Sequence, residues 1–247
     1  MSLLSVGAFL GIVGACDLLR AGQDALRRWQ IALSCGIGLL LIVLFLAWIG
    51  ESFGKSLVLG GGWFLALVLW TVGSAGALRP GGRERATVFR GLAFGGIGLG
   101  LLGSVLCAGA LELWPLWPER MSSTILARWP VQDVVIAGGA VVLQLVTGNL
   151  LVRLVLDVLG GPAERSEKGL TGGRLLGPME RILILGLGCI GQITAAAVLL
   201  ATKGLLRLPG LRGGSDGVRG DATESLLVGS FASWLIGLAG VSMVYLG

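Results

Sequence analysis

The chain has 247 residues, 54% of them hydrophobic and only 13% charged, with a mean hydropathy of +0.88. Soluble domains are about half apolar and a quarter charged, so this composition excludes an ordinary water-soluble fold. About seven apolar runs account for nearly the whole length and leave no room for a separate soluble domain. The formal charge of +5 sits in the links between those runs, where it suits anionic lipid headgroups and gives no indication of nucleic acid.

The first run, residues 3–19, carries Gly7 and Gly11 four apart and ends beside Asp17. This acid is one turn from the following link, where it would pair with Arg20 at the interface; a proton-binding role is the sharper alternative. Val13-Gly14-Ala15-Cys16 resembles a lipoprotein cleavage box, but no Lys or Arg precedes it in Met1 to Ser5, so an uncleaved helix is expected. The second span, 31–49, follows a basic link ending in Trp29, and a short turn at 51–56 returns the third span, 57–78, antiparallel beside it.

Residues 79–90 hold four arginines and one glutamate, as a cytoplasmic loop does. In the fourth span, 91–111, Gly91, Gly95, Gly96, Gly100, Gly103 and Ser104 form small-residue rows that place this helix at the centre of the bundle. Trp114, Trp117 and Trp129 in the next link make an aromatic belt. The fifth span, 134–152, lies in a helical stretch with no breaker until Gly160-Gly161-Pro162. Its Gln144 and Asn149 need partners in a dry environment, and Gln192 of the sixth span is the natural one, at about 1 kcal/mol per interhelical hydrogen bond.

Pro178 suits the first turn of the sixth helix, and Glu180 suits its dipole. From Ile182 the chain runs uncharged to Thr202, the roughly 20 residues that a crossing needs, so 182–202 reads as one span. Gly186, Gly188 and Gly191 reproduce the spacing of a dinucleotide-binding loop. That chemistry needs a βαβ unit and an acid about 20 residues on, and the neighbouring runs supply neither, so these glycines and Ala195 read as a small-residue helix face. The seventh span is 226–245; Lys203 and Glu224 flank the link before it and would close an ion pair across the helix ends. Cys16, Cys35, Cys107 and Cys189 all lie in apolar runs without CxxC spacing, so neither a disulfide nor a metal site is expected.

Gly172-Gly173, Gly177 and Glu180-Arg181, then Gly191-Gln192, Ala195, Leu199, Ala201, Lys203 and Arg207, and finally Glu224, Val228-Gly229-Ser230 and Ser233 carry a family likeness. Over about the last third of its length the chain resembles the domain-of-unknown-function 3307 family of bacterial integral membrane proteins. The resemblance implies a multi-pass protein of the bacterial inner (cytoplasmic) membrane and implies no activity.

The expected fold is therefore an all-α membrane protein, a polytopic bundle of about seven transmembrane helices with glycine-rich helix packing, forming a single integral membrane domain over 1–247. The first, third and fifth links carry twelve of the nineteen lysines and arginines, which puts them in the cytoplasm and the N-terminus outside; the four basic residues of the sixth link oppose that orientation. There is no histidine, no nucleophile beside a base and no P-loop, so no enzyme activity, catalytic residue or cofactor is expected. The favoured role is a non-catalytic assembly or partner subunit, its partners the lipid bilayer and a second copy or another membrane protein. The alternative is a small-solute or ion transporter with a polar midplane site at Gln144, Asn149, Gln192 and Thr194. Glu180, Arg181, Lys203 and Glu224 would be its helix-end charges, with Glu180 and Lys203 at two mouths about 35 Å apart along one helix.

Overall fold

The computed structural model describes residues 3–20, 26–50, 53–79, 83–107, 128–158, 173–207 and 216–247, and among them every element is a helix. These are α1 (Leu4–Leu18), α2 (Arg28–Ile49), α3 (Phe53–Ala77), α4 (Arg83–Cys107), α5 (Val131–Val158), α6 (Gly173–Cys189), α7 (Ile193–Arg207) and α8 (Asp216–Leu246). Five of the described helices are long and apolar enough to cross a membrane: α2, α3, Arg85–Leu106 of α4, α5, and Leu227–Leu246 of α8. The chain falls into two compact units, the first comprising Met1–Thr147 with Met243–Gly247 and the second Gly148–Ser242.

In the first unit α1 is the axis. Twelve of its fifteen residues are buried, and a helix that is apolar all round belongs inside. Its glycines set one contact: a Cβ on Gly7 would fall 2.7 Å from Ile136 Cα, one on Gly11 3.5 Å from Gly139 Cα, and one on Gly14 2.6 Å from Val142 Cγ1. Gly7, Gly11 and Gly14 thus meet successive turns of α5, so the two helices run parallel with their backbones close together. Phe9 stacks at a tilt on Trp63 of α3, 5.9 Å between ring centres, and lies over Gly100 of α4. Cys16 reaches α2, where its sulfur would be 3.1 Å from a Cβ on Gly38.

Around this axis the other helices each bury a stripe. α2 buries only Ser34, Gly38, Ile42 and Leu46, spaced four apart, and leaves Leu33, Leu40, Val43 and Leu44 exposed. In water such a face would be unstable; in hydrocarbon it needs no cover. α3 and α4 form an antiparallel pair in which Gly73 meets Ala93 and Gly96 meets the backbone at Ala66 and Trp70.

The fourth helix is therefore not central, against the expectation from its glycine rows. Among the described residues no atom lies within 4 Å of where a Cβ would stand on Gly91, Gly95, Gly98 or Gly103, and only Ala86, Ala93, Gly96, Gly100 and Ser104 of the described side-chain positions of this helix are buried. Only one side of its small-residue surface meets the bundle.

Several helices extend beyond their apolar runs. α4 starts at Arg83 and α8 at Asp216, so much of what reads as charged loop is helix. Apolar runs report the dry part of a helix, whereas Arg, Lys and Glu are good helix formers that carry it onward. The first run is a helix of only 15 residues, about 22 Å long and short of the hydrocarbon thickness.

The larger correction falls in the second unit, where 182–202 is not one helix. α6 ends and α7 begins at a turn in which Gly191 has φ +77°. The Gly191 N–H bonds the Gly188 carbonyl and the Gln192 N–H bonds the Leu187 carbonyl, both at 2.8 Å, the paired bonds of a Schellman cap. The Gln192 carbonyl then accepts from the Ala196 N–H at 3.2 Å, so this residue closes one helix and starts the next. Neither α6, with 17 residues, nor α7, with 15, has the roughly 20 that span hydrocarbon. Pro178 lies inside α6 rather than in its first turn. Of the four residues read as a packing face, only Gly188 sits at a tight approach, to Val241 of α8; Gly186 faces open space and Ala195 is exposed.

The glycine contacts give a direct comparison. Gly139→Val should drive its side chain into the Gly7 carbonyl and destabilise the first unit by about 1–3 kcal/mol. Gly98→Ala adds a methyl to open space and should be neutral or stabilising by up to ~1 kcal/mol through helix propensity. Thermal unfolding in detergent separates the two; equal melting temperatures would refute the close α1–α5 approach.

Candidate functional site

Asp17 stands one residue before the end of α1, and it is 1% exposed. Past the helix the chain turns back, with the Arg20 N–H on the Asp17 carbonyl at 3.0 Å, and this brings the guanidinium over the carboxylate. Arg20 Nε lies 3.0 Å from Asp17 Oδ1, and Arg20 is itself 2% exposed. Both charges are out of solvent, so each depends on the other and on neutral donors around them.

Two other helices supply those donors. Trp70 Nε1 of α3 is shared between the carboxylate oxygens, 3.2 Å from Oδ1 and 3.0 Å from Oδ2. Thr147 Oγ1 of α5 donates to Oδ2 at 2.7 Å. Arg20 Nη2 donates to Ser74 Oγ at 2.7 Å, and Ser74 passes its own proton to the Trp70 carbonyl at 2.6 Å. Arg20 Nη1 is buried with no acceptor among the described residues. The cluster thus ties α1, α3 and α5 together through one carboxylate.

Thr147 reaches Asp17 from a π turn, Leu143–Thr147, in the middle of α5. Such a turn holds an extra residue and redirects the side chains that follow it, and it recurs at functional sites. Gln144 belongs to the same turn and is fully buried.

A second polar layer lies farther along the same helices. Trp63 Nε1 donates to Ser104 Oγ at 2.9 Å, Ser104 Oγ donates to the Gly100 carbonyl at 2.7 Å, and Ser5 Oγ donates to the Ser104 carbonyl at 2.9 Å. Trp63 and Trp70 are two turns apart on one face of α3, each with its ring buried and its N–H bonded to a neighbouring helix.

The second unit has its own buried charge. Arg181, 1% exposed, donates from Nη2 to Asn149 Oδ1 of α5 at 2.6 Å and from Nη1 to Ser233 Oγ of α8 at 3.0 Å. Gly177, one turn earlier on α6, leaves room for this contact, since a Cβ there would be 3.3 Å from Asn149 Oδ1.

The residues singled out from sequence are thus distributed unevenly. Asn149 meets Arg181, not the anticipated Gln192, whose backbone forms the α6–α7 turn and whose side chain is exposed, as is that of Thr194. Gln144 belongs to the first unit and the other three to the second. Glu180 and Arg181 lie within α6 and are buried, rather than standing at a helix end. Glu180 and Lys203 belong to different helices, so no single helix separates them. The side chains of Lys203 and Glu224 lie outside the described residues, as do Trp114 and Trp117. Pairing of Asp17 with Arg20 was legible as an i, i+3 contact, but its enclosure was not. The polar-tipped row Trp63, Trp70 and Ser74 within an apolar run was the available signal for it.

Compared with known families, curated proteins and solved structures, the chain matches none.

Removing one partner of a buried ion pair strands the other charge. Asp17→Ala should therefore cost about 3–5 kcal/mol, and Thr147→Val about 1.5–3 kcal/mol, through the loss of one bond to a charged acceptor. The double variant Asp17→Leu/Arg20→Met removes both charges and should recover more than half of the loss. Melting of the three variants in nanodiscs tests this; a double variant no more stable than Asp17→Ala would show that the pair does not act as a unit.

Proposed function

We propose that this chain is a non-catalytic, membrane-embedded assembly or partner subunit of a bacterial inner membrane. The observation that carries the reading is the saturation of Asp17: Arg20, Trp70 and Thr147, from three parts of the chain, surround a carboxylate that is 1% exposed. A group so occupied stabilises a helix arrangement and offers no open position to a passing solute. Arg181, held by Asn149 and Ser233, supports the same reading in the second unit. Outside these contacts lie long apolar faces, including the open glycine row Gly91, Gly95 and Gly98 of α4, which suit lipid and neighbouring helices. The family likeness agrees with a bacterial multi-pass protein and adds no activity.

The second reading, a small-solute or ion carrier, draws on the π turn that buries Gln144 and Thr147 beside an intramembrane acid.

Two measurements in proteoliposomes separate the readings. Donor- and acceptor-labelled populations should show energy transfer that survives serial lipid dilution, while Na⁺, K⁺ and proton flux stays at the level of empty vesicles. Energy transfer that vanishes on dilution, together with flux lost in Asp17→Asn, would overturn the subunit reading in favour of the carrier.

A further inference from the structure

Between the first half of α5 and the end of α8, within the first unit, lies a groove of about 640 Å³. Its walls include Ala137, Gly138 and Val141 of α5 and Val244 of α8, all apolar. Trp129 and Asp133 also line it. A volume of this size accommodates a drug-sized molecule or a hydrocarbon chain.

The polar and apolar parts are ordered along α5. Trp129 immediately precedes Pro130, the N-cap of the helix, and Asp133 stands in its first turn. A tryptophan before a span marks headgroup depth. From Asp133 to Val142, which also lines the groove, nine residues of helix descend about 13 Å, close to half the hydrocarbon thickness. The groove therefore has the dimensions of one leaflet, with a carboxylate at its wet end and an aliphatic wall below.

An acid in the first turn is favourable to the helix dipole, which accounts for its sign. That does not account for an acidic residue lining a groove whose other walls are almost wholly apolar. The Asp133 carboxylate makes no ion pair among the described residues, and at this depth its natural counter-charge is a cation that brings an apolar tail. Trp129 lines the same groove, and an indole ring attracts such a cation.

We propose that this groove is a binding site for one membrane lipid with a primary ammonium headgroup, the ammonium paired with Asp133 against Trp129 and one acyl chain laid along α5. Anionic lipids place a negative headgroup against the carboxylate and are disfavoured. The site is independent of whether the chain acts as a subunit or a carrier.

Gly138 supplies the means of testing it. Among the described residues no atom lies within 4 Å of a Cβ built there, so Gly138→Leu fills the groove and improves helix propensity. The purified protein is titrated with phosphatidylethanolamine and with phosphatidylglycerol of matched chains, and bound lipid is counted by native mass spectrometry. Wild type should retain phosphatidylethanolamine about tenfold better. Asp133→Asn should abolish that preference while still binding lipid, and Gly138→Leu should lose the bound lipid altogether. If Gly138→Leu does not fold, Val141→Phe blocks the groove from the same helix. A wild type without headgroup preference, an Asp133→Asn variant that keeps it, or a folded occluded variant that still carries the lipid would each overturn the proposal.

Discussion

A carboxylate removed from water must be neutralised where it stands, and in this chain that requirement falls on Asp17. Moving an ion into a low-dielectric interior costs several kcal/mol even after relaxation, and the cost is offset only when a counter-ion and further donors are in place together. Arg20 supplies the charge from the adjacent turn, but Trp70 and Thr147 come from helices 53 and 130 residues away. The position of α3 and α5 against α1 is therefore tied to the chemistry of one side chain. It also explains how a helix of 15 residues serves as the axis of its unit: wrapped by protein, α1 need not satisfy the bilayer by itself.

Between apolar helices in lipid there is little hydrophobic force to select one register over another, so directional contacts must do it. The first unit has two such layers. Asp17, Trp70 and Thr147 fix one level; Ser5, Trp63 and Ser104 fix another, twelve residues away on α1 and seven on α3. Two levels of attachment define both rotation and slide, which a single hydrogen bond cannot. The glycines act differently. Gly7, Gly11 and Gly14 remove bulk where α5 must come near enough for Thr147 to reach Asp17, so backbone approach and polar contact depend on each other.

How much of this was legible follows from what each signal measures. Long apolar runs identify helices, and α2, α3, α4, α5 and the end of α8 stand where such runs occur. Their ends were less legible, because helix continues through Arg83 to Arg90 and from Asp216 onward where hydropathy falls. Glycine rows carried less information than their density suggests: Gly96 and Gly100 touch neighbours, whereas Gly91 and Gly95 on the same helix touch none among the described residues, and spacing alone does not distinguish them. The broken helix was the least legible feature. Gly186 and Gly188 remain helical while Gly191 adopts positive φ, and the choice is made by the capping bonds that Gln192 and Gly191 return to α6. Asn149 is visible as a polar group needing a partner, but a helix beginning near Pro178 would leave Arg181 at a helix end, whereas α6 begins at Gly173 and carries it inside.

The second unit repeats the logic with the sign of the charge reversed. A buried guanidinium has five donors and no acceptor, so it draws oxygen atoms toward itself from whichever helices can supply them. Asn149 and Ser233 do so from α5 and α8, and Gly177 keeps the approach open on the arginine's own helix. In both units neutral amide, indole or hydroxyl groups complete the environment of a charge. Such groups do not titrate, so the bonds that complete each charge do not depend on the protonation state of the groups donating or accepting them. That property suits a protein whose proposed task is to present a fixed helical surface to a partner.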